Sequence, residues 1–162
     1  MRYHLRRTDK EIKEKYKLEK ILKETQYITL AMVKDGMPYL VSLSHGYDIE
    51  NQCIYFHCAN EGKKLDYLRS NPKVWGQVII DQGYKLGECT HEYVTVMFQG
   101  ETTFVENLEE KKNAFRIMIK QLEEDSQPIL DKFLNSEGIK NTIVGKIDIE
   151  FMTGKKTPEI SI

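Results

Sequence analysis

Apolar and polar positions in the first third of the chain follow the pattern of short β-strands. Residues 27–33 are almost continuously apolar and rich in β-branched and aromatic side chains. They meet the alternating stretch 37–48 across Asp35-Gly36, a dipeptide in which both residues tolerate a positive φ. A second turn then leads into the apolar stretch 53–58. The pattern predicts a three-stranded antiparallel meander over residues 26–58.

Apolar residues at helical spacing predict four helices around these strands. The first begins at a capping box formed by Thr8 and Glu11, in which each side chain can satisfy the other residue's backbone N–H. Asn60 and Asn107 are favoured N-cap residues for the second and third helices. The four predicted helices span residues 8–25, 61–70, 107–124 and 128–134.

Three further stretches with strand character complete the predicted sheet. They cover residues 73–81, 92–106 and 142–154, and Gly100 predicts a β-bulge within the second of them. Because the strands follow one another as hairpins, a doubly wound parallel sheet is excluded. The predicted fold is mainly β with α: a six-stranded antiparallel β-barrel with flanking helices, in one domain over residues 1–162.

Overall charge and cysteine content limit the classes of partner. The chain has 162 residues and a formal net charge of -1, so its charge gives no reason to expect nucleic acid or an anionic membrane as partner. No apolar run is long enough to cross a bilayer, and the N-terminal stretch lacks the apolar segment of a signal peptide. Cys53, Cys58 and Cys89 show no framework spacing, which is typical of free thiols in a reducing cytoplasm.

Two lysines begin the second predicted helix, where acidic residues are the usual choice. The stretch FHCANEGKKL, residues 56–65, places Lys63 and Lys64 in the first turn. Cations there cost from a few tenths of a kcal/mol to about 1 kcal/mol each, whereas a phosphate would benefit from the helix dipole and from the lysines. On this segment alone, a solvated surface pair and a phosphate site both stay open. Leu65 stands where a P-loop has Ser or Thr, so nucleoside triphosphate hydrolysis is not expected.

The order of the elements resembles the FMN-binding split barrel of the pyridoxamine 5'-phosphate oxidase superfamily. Four stretches carry the resemblance, in the family's order: PYLVSLSHGYD, IYFHCANEGKKLDYLRSNPKV, YVTVMFQGETTFVENLEEKKNAF and IDIEFMTGK. The chain is most similar to the nitroimidazole-resistance (Nim) type flavoproteins. The oxidases carry Trp, Arg and His near the C-terminus, whereas this chain closes with TGKKTPEISI, which favours the Nim-type branch over pyridoxamine phosphate oxidation.

The resemblance implies a set of FMN contacts. One strand would run along the isoalloxazine ring and meet its polar edge with backbone groups, and the end of another strand would lead to the ribityl chain. The lysine pair would hold the phosphate, and a threonine stands where the oxidases have a glutamine that contacts FMN. In this order the implied contacts are Leu40, Val41, Ser42, Leu43 and Ser44, then His57 and Cys58, then Lys63 and Lys64, and finally Thr95.

The resemblance also implies an activity and an assembly. An FMN-dependent reductase of this kind would take hydride from NAD(P)H and reduce a small electron-poor substrate of nitroimidazole or nitroaromatic type. It would be a homodimer with FMN between the subunits, and no side chain would need to act as a catalytic acid or base. The alternative of another class is a non-catalytic flavin- or haem-binding module for storage, sensing or electron relay. Pyridoxamine 5'-phosphate oxidase activity is a third alternative.

Histidines and cysteines offer further interpretations. His45 is expected to be a buried, hydrogen-bonded histidine, with a role near the substrate or as a haem ligand as the alternative. A metal site built from His57 and Cys58, or from residues 89–92, is not expected, because the spacing matches no zinc motif and neighbours on a strand face opposite ways. Cys58 is not expected to be a nucleophile, since it would need a base and an oxyanion site.

Overall fold

The structure, a computed structural model, describes residues 5–134 and 136–162. Its centre is an antiparallel sheet of eight strands within these residues. The strands are β1 Glu11–Ile12, β2 Tyr27–Lys34, β3 Met37–Ser44, β4 Gly46–Asp48, β5 Cys53–Cys58, β6 Lys73–Lys85, β7 Thr90–Phe104 and β8 Ile143–Lys156. The α-helices are α1 Lys15–Glu24, α2 Lys63–Ser70, α3 Leu108–Leu122, α4 Gln127–Leu134 and α5 Gly138–Asn141, and a 3₁₀ turn at Thr8–Lys10 precedes β1.

The sheet runs in the order β3-β2-β6-β7-β8-β5-β4, and β1 adds to β8. All of these strand pairs are antiparallel. The two end strands of this order, β3 and β4, are consecutive in the chain and are separated only by His45. The sheet therefore curls until its two ends meet at one residue, and beyond that residue β3 and β5 are not joined by a ladder. This arrangement confirms the predicted antiparallel split barrel with flanking helices.

The number of strands differs from the prediction. The described residues form eight strands where six were predicted, because the short strands β1 and β4 were not recognised. The predicted strand 37–48 breaks at His45 into β3, which pairs with β2, and β4, which pairs with β5. The predicted three-stranded meander is therefore two hairpins that share one continuous stretch of chain. Gly46 follows the break but has no positive φ, and apolar residues continue to alternate with polar ones past it, so the pattern did not show the break.

The first helix begins later than the capping box predicts. Helix α1 begins at Lys15, and its N-cap residue, Glu14, makes no side-chain capping hydrogen bond. Thr8 lies in the 3₁₀ turn, and Glu11 enters β1 opposite β8. This pairing buries Ile12 in the core, and burial of an isoleucine contributes more than a helix cap does.

The turn, bulge and helix-cap predictions at Asp35-Gly36, Gly100 and Asn107 are confirmed. Asp35 and Gly36 adopt φ angles of 51° and 75° in the tight turn between β2 and β3. The register of β7 against β8 shifts at Gly100, where the sequence predicted a bulge. Asn107 caps α3 by accepting hydrogen bonds from two backbone N–H groups of its first turn. These signals are local, so they need no knowledge of the tertiary contacts.

Two hydrophobic clusters lie on either side of the sheet. The first fills the barrel and includes residues from α1 and α2 together with inward-facing strand residues: Leu18, Ile21, Leu22, Ile28, Leu30, Phe56, Leu68, Val78 and Phe98. The second lies under α3 and includes Cys53, Tyr55, Ala114, Phe115, Met118 and Val144. Helix α3 approaches β4 so closely that a Cβ on Gly46 would lie 2.7 Å from the Cα atom of Met118.

We predict that Gly46→Ala destabilises the protein, because the backbone of α3 must move away from β4 to admit the methyl group. Overpacking of this kind costs about 1–3 kcal/mol. Urea unfolding of the variant and of the wild type measures the change in the free energy of unfolding. Gly138→Ala is the matched control, since its added Cβ would meet its nearest neighbour, Ser136 Oγ, at an ordinary 3.6 Å. Equal losses in both variants would contradict the close contact.

Candidate functional site

The sheet is open where β3 separates from β5, and this opening between the two strands is called the cleft. The β4–β5 ladder begins at Gly46. Continued in the same register, it would set Ser44 opposite His57 and Leu43 opposite Cys58, yet β3 pairs only with β2. The other edge of β3 therefore keeps backbone N–H and C=O groups that have no ladder partner in the described sheet.

Side chains of β3 alternate between two environments. Leu40, Ser42 and Ser44 are exposed on the outer face of the sheet, whereas Val41 and Leu43 pack against the barrel core. Strand geometry imposes this alternation, so these five side chains cannot all point to one ligand. They share instead the free backbone edge, which is the kind of contact that the resemblance implies for this strand.

The start of α2 closes one end of the cleft. The Nζ atom of Lys63 lies 4.5 Å from the ring centroid of Tyr39 on β3. The Nζ atom of Lys64 lies 5.8 Å from the ring centroid of Phe56 on β5. The two lysines of the helix start therefore reach the two strands that border the cleft.

Backbone N–H groups at this helix start are outside the helical hydrogen bonds. The N-cap residue is Gly62, whose φ of 129° favours glycine, and the predicted cap, Asn60, is not used. The first helical bond runs from Leu65 N to the carbonyl oxygen of Gly62 at 2.9 Å. The N–H groups of Lys63 and Lys64 thus precede the helical ladder, at the positive end of the dipole, which is an arrangement that suits an anion.

His57 and Cys58 lie at the end of β5 and face opposite ways. The His57 ring is 5.7 Å from the ring of Phe115 on α3, whereas Cys58 packs against the barrel core. Burial, and then the positive charge of Lys64, lower the pKa of His57. Burial raises the pKa of the Cys58 thiol above its ordinary value, so this thiol is protonated at neutral pH and is a poor nucleophile.

Thr95 lies away from the cleft, on the outer face of the sheet. Its hydroxyl donates a hydrogen bond to the carbonyl of Val78 at 2.7 Å and accepts one from Nε2 of Gln77 at 3.2 Å. It also lines a pocket of about 450 Å³ on that face. Within one chain, the predicted FMN contacts other than Thr95 lie on the elements that border the cleft, and Thr95 does not join them.

The amino-acid sequence matches the sequence profile described as pyridoxamine 5'-phosphate oxidase over residues 14–156. This chain belongs to that family. The matched residues include both strands that border the cleft and the lysine-bearing start of α2. The expected membership of the split-barrel superfamily is therefore confirmed. Among curated proteins, none matches the chain.

Solved structures of similar proteins share the fold of this pyridoxamine 5'-phosphate oxidase family member. A putative 5-nitroimidazole antibiotic resistance protein from Bacteroides thetaiotaomicron VPI-5482 is 27% identical, with 90% of this chain and 85% of that chain covered and a TM-score of 0.74. The flavocytochrome Anf3 from Azotobacter vinelandii is 15% identical, with 96% and 72% covered and a TM-score of 0.79. A FAD-binding protein from Mesorhizobium loti is 23% identical, with 89% and 95% covered and a TM-score of 0.64. The first of these supports the expected similarity to Nim-type proteins.

In this member of the family, His45 fixes the point at which β3 passes into β4. The ring is fully buried, and its Nε2 lies 2.9 Å from the carbonyl oxygen of Leu22 in α1. Because a carbonyl oxygen only accepts hydrogen bonds, we assign His45 Nε2 as the donor to Leu22. Gln121 Nε2 lies 3.2 Å from this nitrogen and donates instead to the carbonyls of Leu22 and Thr25. Burial lowers the pKa of His45, which keeps the ring neutral at pH 7.

Metal ligands, a haem site and a membrane span are not found in the part of the chain that the structure describes. Across residues 5–134 and 136–162, no three His, Cys, Asp or Glu side chains come together as a metal site. His45 Nδ1 has no hydrogen-bond partner there, but the fully buried ring leaves no open side for a haem. In the same part of the chain, no helix has the length and apolar character that a bilayer crossing requires.

Sequence reasoning missed two polar contacts. Gln121 Oε1 accepts a hydrogen bond from the backbone N–H of Tyr47 at 2.8 Å and so ties α3 to β4. A polar residue beside the apolar stripe of α3 was the only signal of this contact. On the outer face, His91 Nε2 lies 2.7 Å from Oδ1 of Asp81. The two residues lie on opposite strands of the β6–β7 hairpin. The register shifts between Asp81 and Gly83, so the sequence pattern does not show that Asp81 and His91 are neighbours.

Proposed function

We propose that this chain binds FMN in the cleft and uses it to reduce a small electron-poor substrate of nitroimidazole or nitroaromatic type, with NAD(P)H as the electron donor. The observation that carries the proposal is the cleft between β3 and β5. It offers a free strand edge along one side and a lysine-bearing helix start at its end. A free edge can satisfy the donors and acceptors of the pyrimidine part of isoalloxazine, and the helix start can hold the phosphate.

Lysine contacts at the helix start are compatible with phosphate binding. Lys63 lies over the rings of Tyr39 and Tyr67, which is a sufficient structural reason for a lysine at this position. A cation–π contact at an exposed site contributes about 0.5–1 kcal/mol, whereas a hydrogen bond to a charged group contributes about 1.5–3 kcal/mol. A phosphate can therefore draw the ammonium group away from the rings. Lys64 is half-buried and shows no ion pair within the described residues.

The chain's own part in the proposed reaction is binding and orientation. When bound, the flavin would supply the hydride chemistry. Val41 and Leu43 anchor β3 in the core, so that its free edge is held rigid. The positive charges of Lys63 and Lys64 would balance the charge of the FMN phosphate. With the phosphate held at the start of α2, the isoalloxazine ring would be positioned along the free edge of β3.

Similar proteins support the cofactor class and the substrate class. The protein from Bacteroides thetaiotaomicron is named for putative 5-nitroimidazole antibiotic resistance, and it is the similarity on which the proposed substrate class rests. The names of the other two structures, a flavocytochrome and a FAD-binding protein, support a flavin. We propose FMN because its terminal monophosphate suits a lysine pair at a helix start.

We predict that Lys63→Ala combined with Lys64→Ala weakens FMN binding by about tenfold or more, since two charge-assisted contacts are lost. Fluorescence titration of the apoprotein with FMN measures the dissociation constant. Lys13→Ala combined with Lys20→Ala removes the same charge from exposed positions outside the cleft and is the matched control. FMN affinity that is unchanged in the cleft variant, or equally weakened in the control, would show that the lysine pair does not hold the phosphate.

We also predict that NADPH or NADH bleaches the flavin absorption of the FMN-loaded protein under anaerobic conditions. Addition of a nitroaromatic compound is then expected to restore the yellow spectrum, because electrons pass from the flavin to the nitro group. Absorption spectroscopy follows both steps, and heat release identifies the chromophore. Absence of bleaching over hours would favour the non-catalytic module, and a strong Soret band would favour haem instead of FMN.

An apolar row on the outer face of the sheet supports the proposed homodimer. Leu40 on β3 lies opposite Ala31 on β2, which in turn lies opposite Trp75 on β6. Leu40 and Trp75 are 64% and 46% exposed, and Tyr27 and Ile79 on the same face are also exposed. Exposed apolar surface of this kind is typical of an interface. Thr95 belongs to the same face, so in such a dimer it could contact FMN held by the other subunit.

We predict that the FMN-loaded protein has a mass in light scattering of about twice the 19.0 kDa of one chain, and that Trp75→Glu yields monomers. A buried glutamate without a partner would oppose association. Tyr16→Glu is the matched control, because Tyr16 is 64% exposed on α1 and lies outside the outer face of the sheet. A monomeric wild-type protein with bound FMN would contradict the dimer.

A further inference from the structure

The outer-face pocket differs in charge from the rest of this slightly acidic protein. It is the pocket of about 450 Å³ that contains Thr95, and it is lined by Gln77, Ile79, His91, Tyr93, Thr95, Met97 and Lys155. The described residues that line it include no aspartate or glutamate, although the chain has 25 acidic residues. Its only ionisable groups besides the Tyr93 phenol are thus a lysine and a histidine, both of which can carry a positive charge.

Lys155 is a half-buried cation that forms no ion pair within the described residues. No acceptor for its ammonium group, and no acidic partner, is found among residues 5–134 and 136–162. Glu11 lies directly opposite it in the β1–β8 pairing, yet the two side chains form no ion pair. The next residue shows the contrast, because Lys156 donates to the carbonyls of Pro158 and Ile160 at 2.8 and 2.6 Å. A half-buried ammonium group gains little for the fold unless something binds it.

The position of Lys155 links it to the proposed flavin contact. Lys155 is the direct cross-strand partner of Thr95 in the β7–β8 ladder. Directly opposed residues have Cβ atoms about 4.5–5.5 Å apart, and a lysine side chain spans more than that distance. A molecule that reaches the surface around Thr95 therefore lies within reach of the Lys155 ammonium group.

The remaining lining residues suit a flat ring. Ile79, Tyr93 and Met97 supply apolar surface, and Gln77 and Thr95 already hydrogen-bond each other. At the far side, Asp81 accepts from His91 Nε2 at 2.7 Å and from the N–H of Gly83 at 2.8 Å. These bonds hold the pKa of Asp81 below its usual value and fix the orientation of the His91 ring. The Asp81 carboxylate is thus hydrogen-bonded and does not line the pocket, whereas the His91 ring lies at the rim of the pocket.

We propose that this pocket is the substrate site of the flavin reaction, and that the substrate is a planar aromatic molecule with an anionic group that Lys155 binds. The inference rests on the proposed function and adds the charge of the substrate to it. In the proposed dimer a second copy would cover this face and enclose the pocket. The apolar residues would stack against the ring, Lys155 would hold the anion, and His91 would stand at the opposite end.

Equilibrium binding of two matched probes tests the charge preference without any turnover. The probes are 4-nitrobenzoate, which is anionic, and 4-nitrobenzyl alcohol, which has the same ring and nitro group without the charge. Calorimetric titration of the FMN-loaded protein is expected to show about tenfold tighter binding of the benzoate, as one partly buried ion pair would supply. Lys155→Met is expected to abolish the difference, whereas Lys155→Arg is expected to retain it. Lys73→Met, at an exposed lysine of β6 outside the pocket, is the charge-matched control.

Outcomes of this experiment separate the two proposals. Equal affinity for both probes, or a benzoate preference that survives in Lys155→Met, overturns the inference. The proposed function stands in that case as long as the protein binds FMN. Amide shifts in NMR spectra that map the benzoate away from Thr95 and Lys155 also overturn it. If the protein binds the benzoate at the pocket but takes up no FMN, the anion site stands and its role as the substrate site of a flavin reaction is overturned. A Lys155-dependent preference in the FMN-loaded protein, with shifts at these residues, supports the inference.

Discussion

The hydrogen bond between the buried His45 ring and the carbonyl of Leu22 fixes the geometry on which the rest of the structure depends. At this residue one stretch of chain leaves the β2 side of the sheet and joins the β5 side. Gln121 ties α3 to the same carbonyl and to β4, and Gly46 lets the helix backbone come close. Contacts with α1 and α3 hold the chain at His45, where β3 passes into β4. Beyond this residue β3 and β5 diverge. The cleft is therefore a consequence of how the barrel closes, and its free strand edge is paired with nothing in the described sheet.

Binding groups in this structure fall into two places because the sheet has two faces. The strand edge, the end of β5 and the start of α2 border the cleft, whereas Thr95 and Lys155 lie on the outer face. Strand alternation makes this separation unavoidable within one chain, since no side chain can serve both faces. A second copy packed on the outer face is the simplest arrangement that would unite them. The proposed dimer and the proposed cofactor site therefore depend on each other, and a monomer with a complete FMN site would call for a different account of Thr95.

Local signals in the sequence predicted the local structure, and tertiary constraints decided the rest. The Asp35-Gly36 turn, the Gly100 bulge and the Asn107 cap need only the conformational preferences of a few residues, and all three are present. Gly46 is the only local sign of the break at His45, and it is ambiguous because alternation continues through it; packing against α1 and α3 reveals the break. The resemblance named the residues that border the cleft, but it could not show that Thr95 stands apart from them. The pairing of Glu11 with β8 likewise overrides a good capping box, since burial of Ile12 outweighs a cap.

Two places where the chain departs from the favoured local chemistry carry lysines. At the start of α2 two cations occupy a turn that favours anions, and on β8 a half-buried cation has no counterion among the described residues, although Glu11 lies opposite it. Ring contacts offset part of the cost at the start of α2, where Lys63 lies over Tyr39 and Tyr67 and Lys64 lies over Phe56. Within the described residues Lys155 has no contact of this kind. Natural proteins tolerate such local conflicts chiefly where function requires them. The lysine pair faces a free strand edge, and Lys155 faces an apolar pocket without acids. None of these three lysines forms an ion pair within the described residues, and a bound anion would supply a partner at each place.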